Sequence, residues 1–227
     1  MNKLVDNKIK GSWKEKHKLV IEEVLHVINN NSSNYILKGG TALMECYGLK
    51  RFSEDIDLDS SDKKTIFKIL FSYCKSKNYD YRIAKQIDTV SRIMIDYNGQ
   101  KPLKVEVSHR KNHINENEFC ELNGINVYKL DTLANLKAVA YSSRDDIRDL
   151  YDICFLINEK YSELSAESIN YIRNTVEYKG IDQFDYITRE QKDDLIDNKK
   201  LANDFLTMFE KLDLFTPLRR KNDNINI

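Results

Sequence analysis

Two aspartates stand two residues apart in Asp55-Ile56-Asp57, and the alternation continues through Leu58 and Asp59. Strict polar–apolar alternation is the pattern of a strand, in which side chains two apart share a face. Asp55 and Asp57 would present two carboxylates side by side while Ile56 and Leu58 turn to a core. Like charges that close repel, and a hard divalent cation is the usual compensation. A second alternating run, Leu103-Lys104-Val105-Glu106-Val107, offers Glu106 as a third carboxylate. Three carboxylates on adjacent strands could hold two Mg²⁺ ions about 3.5–4 Å apart. Upstream, Gly39-Gly40-Thr41 lies between the short apolar run Tyr35-Ile36-Leu37 and a segment able to form a helix. Glycines let a backbone approach a phosphate closely, and a following helix N-terminus turns free N–H groups toward it. Thr41 would add a hydroxyl contact. Singly, the glycine pair also fits a plain turn and the aspartate pair a solvated strand edge. The thirteen residues between Thr41 and Asp55 leave room for a short helix and a return to the neighbouring strand. Together these parts match what transfer of a nucleotidyl group needs: a cradle for the triphosphate, metal to neutralise it, and activation of an acceptor hydroxyl.

The elements that must position these residues are legible from periodicity. Trp13, Val20, Ile21, Val24, Leu25 and Ile28 recur at helical spacing and predict an amphipathic helix from Trp13 to Asn29. Strands are expected at 35–37 and 55–59, a short helix over 41–48 stopped by Gly48, and a helix over 63–77. Extended segments follow at 79–84, 89–97 and 103–109, the last two joined through Asn98-Gly99-Gln100 as a hairpin, with another strand near 125–128. Beyond that the character turns helical. Asp131 reads as the N-cap of a helix through Tyr141, and further helices are expected over 147–159 and 166–178. Thr188-Arg189-Glu190-Gln191 reads as a capping box opening a fourth, to about Leu212. The expected organisation is a mixed α+β domain over 1–128 and a helical domain over 129–227.

Composition narrows the classes of function. The 227 residues include 36 basic and 36 acidic side chains, so any nucleic-acid partner must be met by a local patch rather than by the overall field. Lys129, Lys137, Arg144, Arg148 and the tail Arg219-Arg220-Lys221 are candidates for such a patch. Cys46, Cys74, Cys120 and Cys154 are scattered, as reduced core thiols of a cytoplasmic protein would be. The opening residues show no signal-peptide pattern, and no apolar run approaches the ~18 residues of a membrane span. An EF-hand loop starting at Asp55 is excluded because its sixth position is Ser60 and its twelfth Ile66. A haloacid-dehalogenase-like phosphatase is disfavoured because Leu58-Asp59 replaces the small residues expected after its D-x-D.

The composite of Lys38-Gly39-Gly40-Thr41-Ala42-Leu43 with Arg51-Phe52-Ser53-Glu54-Asp55-Ile56-Asp57-Leu58 resembles the signature of the AbiEii/AbiGii toxin family. That family belongs to the DNA polymerase β-like nucleotidyltransferase superfamily. The similarity continues at Leu103 to Arg110, at Asp131 to Lys137, and at Arg148-Asp149-Leu150-Tyr151-Asp152. The resemblance implies a polymerase β-like nucleotidyltransferase domain with a mixed sheet, followed by a C-terminal helical bundle. It implies nucleotide contacts from Lys38, Gly39, Gly40, Thr41, Ser53 and Lys137, and metal ligation by Asp55, Asp57 and Glu106. It also implies an active-site lysine at Lys137 and an aspartate at Asp149 or Asp152, a choice the sequence leaves open. The expected activity is Mg²⁺-dependent transfer from a nucleoside triphosphate to a tRNA acceptor by the toxin of a type IV toxin–antitoxin or abortive-infection system, with a cognate antitoxin and no membrane partner. Alternatives are a protein or small-molecule (antibiotic) acceptor, or a nucleotide-binding module without turnover.

Overall fold

The apolar stripe predicted at the start of the chain forms α1 (Trp13–Asn31), opened by a reciprocal cap in which Ser12 and Glu15 each bond the other's backbone N–H. The structure, a computed structural model, describes residues 12–215; Arg219, Arg220, Lys221 and residues 1–11 lie outside the described residues. The chain divides into two compact units, Met1–Leu133 and Ala134–Ile227.

In the first unit, β1 (Ile36–Lys38) leads directly into α2 (Gly39–Tyr47), which ends at Gly48 with φ 84°. Then follow β2 (Asp55–Asp59), α3 (Thr65–Lys77), β3 (Asp80–Ile87), β4 (Val90–Asp96), β5 (Leu103–Ser108), β6 (Phe119–Leu122) and β7 (Ile125–Tyr128). They form a sheet of order β3-β4-β5-β2-β1-β7-β6. It is mixed: β2 runs parallel to β5 and β1 parallel to β7, and the other neighbours are antiparallel. Leu37, Leu58, Val107 and Val127 stand in register on one face, with Ile56 and Val105 beside them, all buried. Helix α1 packs against β5 and β7, and α3 against α1 and β3, which covers that apolar face. The alternate residues of β1, β2 and β5, including Lys38, Asp57 and Glu106, occupy the other.

One strand escapes the sequence reading. Phe119–Leu122 pairs with β7 through Asn123-Gly124, both at positive φ (53° and 74°), the conformation of a tight hairpin turn. That Asn-Gly dipeptide was a readable hairpin signal.

The second unit contains most of α4 (Leu130–Ser143), with α5 (Ile147–Lys160), α6 (Ala166–Glu190) and α7 (Asn198–Lys211). Helix α4 starts one residue before Asp131, so Asp131 lies in its first turn instead of capping it. The capping box expected at Thr188 is wrong. Thr188 belongs to the end of α6 and donates its hydroxyl back to the carbonyls of Phe184 and Asp185, while Asp197 caps α7. Gly180 (φ 70°, ψ 178°) interrupts the helical backbone of α6, so its first segment ends close to the expected 178 and a second helical segment, not expected from the sequence, follows to Glu190. The core of this unit joins α5 to α7 and α6, with Phe184 stacked on Phe205 at 3.9 Å between ring centres. Among the described residues no helix is long and apolar enough to cross a membrane.

Candidate active site

Both glycines of the β1–α2 turn are set by local geometry. Gly39 has φ +75°, and a side-chain carbon there would stand 3.3 Å from Asp57 Oδ2. At Gly40 such a carbon would meet the buried Arg51 guanidinium at 2.6 Å and Ser53 Oγ at 2.9 Å. The backbone thus passes directly against the Asp57 carboxylate. Lys38, at the N-cap position of α2, gives that helix no side-chain cap, which leaves its leading N–H groups free of that contact. Thr41 and Ser53 are buried: Thr41 donates its hydroxyl to Ser53 Oγ (2.9 Å) and to the carbonyl of Asp55. They lock the turn to the start of β2. His17 performs a related task that the sequence reading missed. Fully buried on α1, it bonds Tyr97 Oη through Nδ1 (2.6 Å) and the Glu54 carbonyl through Nε2 (2.7 Å), one residue before Asp55. A histidine within an otherwise apolar stripe was its signal.

Strand register brings the carboxylates together. Asp57 is opposite Lys38 on one side and Glu106 on the other, and Asp55 is opposite Lys104. Asp55 pairs with Lys104 at 2.7 Å, and Glu106 with Arg92 of β4 at 2.5 Å. Burial pushes the Asp57 carboxyl above its ordinary value, and the charges of Asp55 and Glu106 push the same way against Lys104 and Lys38. Lys104 is pushed up in turn: its burial works against the ammonium, but the charges of Asp55, Asp57 and Glu106 prevail. Lys104 shares a face with Glu106 by alternation, so its role was readable; Arg92 depends on which strand lies beside β5.

Among the described residues no three carboxylate, histidine or cysteine side chains close around one point, and Asp55 and Glu106 each face a cation, Lys104 and Arg92. The donor set still suits a hard divalent ion. It consists of three carboxylates on two parallel neighbouring strands, among which Asp57 is raised chiefly by burial, with Asp55 and Glu106 adding to the shift. Further along the same face Lys38 contacts the buried Asp59, which also accepts a hydrogen bond from Tyr128 Oη at 2.9 Å.

The second unit holds the other expected residues. Lys137 Nζ lies 2.9 Å from Asp149 Oδ1 and 2.6 Å from Asp152 Oδ2, and all three side chains are buried. Arg144 reaches the other oxygen of Asp149 at 2.7 Å. Both aspartates thus hold the lysine. Arg148 instead pairs with Asp193 at 2.5 Å.

Comparison with known proteins follows the geometry. No curated protein matches the chain in sequence. Among solved structures, JHP933 from Helicobacter pylori is similar at a TM-score of 0.74 and 24% identity, covering 89% of this chain and 92% of its own. MenT4, a nucleotidyltransferase toxin from Mycobacterium tuberculosis, is similar at a TM-score of 0.54 and 13% identity, covering 91% of this chain and 86% of its own. At these identities the likeness establishes the fold. The family model of the AbiEii toxin, a nucleotidyl transferase of type IV toxin–antitoxin systems, matches residues 26–224. The chain is a nucleotidyltransferase that belongs to the AbiEii toxin family.

Proposed function

We propose that this toxin moves a nucleotide from a nucleoside triphosphate to a tRNA acceptor, with Mg²⁺ held by Asp55, Asp57 and Glu106. The observation that supports this most directly is the register of Asp57 with Glu106, beside a glycine turn whose backbone abuts the Asp57 carboxylate. Bound there, Mg²⁺ would neutralise triphosphate charge and lower the pKa of the acceptor hydroxyl.

The protein's own residues bind and orient. The close backbone of Gly39 and Gly40 and the leading N–H groups of α2 receive phosphate oxygens, while Thr41 and Ser53 hold that turn in place. Lys38, opposite Asp57, adds a positive charge on the same face. Lys104 and Arg92 screen the carboxylates from one another. In the helical unit Lys137 is assigned to nucleotide binding, and Asp149 and Asp152 fix its ammonium. The substrates are cytoplasmic, which is where this reading puts the enzyme, under the control of a cognate antitoxin.

The test is incubation of purified protein with Mg²⁺, each α-³²P-labelled nucleoside triphosphate in turn, and total tRNA or cell lysate. Label on tRNA from one nucleotide is the expected result. Label on protein would keep the chemistry and refute the tRNA acceptor, and activity undiminished by a chelator would refute the metal.

A further inference from the structure

Helix α6 carries polar side chains that nothing inside the described protein uses. Glu167, Asn170, Tyr171 and Asn174 follow one another at i, i+3, i+4 and i+7, which puts them on one stripe. With Asn135 of α4 they line a cleft of about 710 Å³ within the helical unit. None of these five side chains hydrogen-bonds or pairs with another of the described residues. Asn135 is the sharpest case, since its carbonyl oxygen is buried and has no partner. Buried acceptors in native proteins are nearly always satisfied, and an exception calls for a reason. On the same helix Arg173 donates to the Leu212 carbonyl at 2.9 Å and pairs with Glu177, and Thr175 returns its hydroxyl to the Tyr171 carbonyl.

We infer that this cleft takes the bases of a single-stranded RNA segment, a site that rests on the proposed RNA acceptor and specifies how it is held. The chemistry of the lining selects bases over backbone. Among the described residues no lysine or arginine lines the cleft, and Glu167 repels phosphate. The exposed carboxamides of Asn170 and Asn174 each offer a donor and an acceptor, the combination that reads base edges. Tyr171 is 42% exposed and Tyr178, seven residues further along the helix, is 84% exposed. Seven helical residues span about 10 Å, so two aromatic faces stand on one side of α6 as stacking platforms for unpaired bases.

The experiment titrates a fluorescein-labelled single-stranded RNA hexamer with the full chain and with Asn170→Ala/Tyr171→Ala/Asn174→Ala, following anisotropy. All three positions are exposed on the helix, where alanine favours the helical state. The wild type should bind, and the variant at least ~10-fold more weakly, from the loss of one stacked base and its edge contacts. The difference should depend little on salt, because no cation is removed. In tRNA labelling the variant should show a raised KM for tRNA with kcat and the KM for nucleotide unchanged. A wild type that does not bind the hexamer, or a variant that binds it equally, overturns the inference. Wild-type labelling of tRNA alongside an unaffected variant would overturn the cleft alone and leave the acceptor standing. Hexamer binding lost in the variant, with no labelling of tRNA by the wild type, would support the cleft and refute the tRNA acceptor.

Discussion

Lys137→Met separates the structural from the catalytic work of the lysine. Methionine keeps the aliphatic stem and removes only the ammonium. That ammonium lies 2.9 Å from one carboxylate and 2.6 Å from another, with Lys137, Asp149 and Asp152 side chains 11%, 1% and 0% exposed. Removing one member of a buried ion pair costs about 3–5 kcal/mol, because the opposite charge stays buried. Asp149 retains Arg144 as a second cation at 2.7 Å. Arg144→Ala removes a cation that is 61% exposed and should cost less than about 1 kcal/mol. Urea unfolding followed by circular dichroism would show the Lys137→Met midpoint lowered by about 1–2 M and that of Arg144→Ala barely moved. Equal losses in the two variants would refute the assignment of a buried, lysine-centred cluster.

The remaining predictions concern the first unit and the nucleotide. Asp57→Asn should abolish label transfer while leaving the circular dichroism spectrum unchanged and the urea midpoint no lower; wild-type turnover would contradict the metal assignment. Lys137→Ala should weaken nucleotide affinity by about 1.5–3 kcal/mol in a titration of the folded variant, the value of a charge-assisted contact. Gly40→Ala forces its new carbon against Arg51 and Ser53 and should lower stability by about 1–3 kcal/mol in thermal unfolding, as overpacked sites do. Glu45 is pushed up to about 6 by burial, with Glu22 adding to the shift and Lys18 opposing it. A raised carboxyl binds its proton more tightly in the native state, so its contribution to stability improves as pH falls from about 6 toward the unfolded value of about 4.3. Glu45→Gln should therefore stabilise the protein at pH 8 by about 1 kcal/mol after allowance for solvent screening, and less at pH 5, as measured by urea midpoints.

Much of the first unit was legible because each strand and helix carries its own periodicity. The alternation of β2 and β5 announces which side chains share a face, and the glycines before α2 announce a close backbone. The second unit was less legible where local signals conflict with packing. Gly180 does break the helix, and the second helical segment that follows it and places Phe184 against Phe205 was not expected. Thr188 to Gln191 carries the residue types of a capping box, and helix α6 absorbs them.

By itself the sequence determined the residue types, their faces and the family signature: Asp55 and Asp57 two apart, Glu106 between apolar neighbours, Lys137 before the Arg148-to-Asp152 segment. Only tertiary structure decided which strands adjoin, and so that Asp57 stands beside Glu106, that Arg92 and Lys104 balance the carboxylates, and that one lysine is gripped by both Asp149 and Asp152. The physical reason is that periodicity acts within one element, where backbone geometry sets the face of each side chain. Neighbours come from pairing between segments far apart in the chain, where register and burial are decided by the whole core.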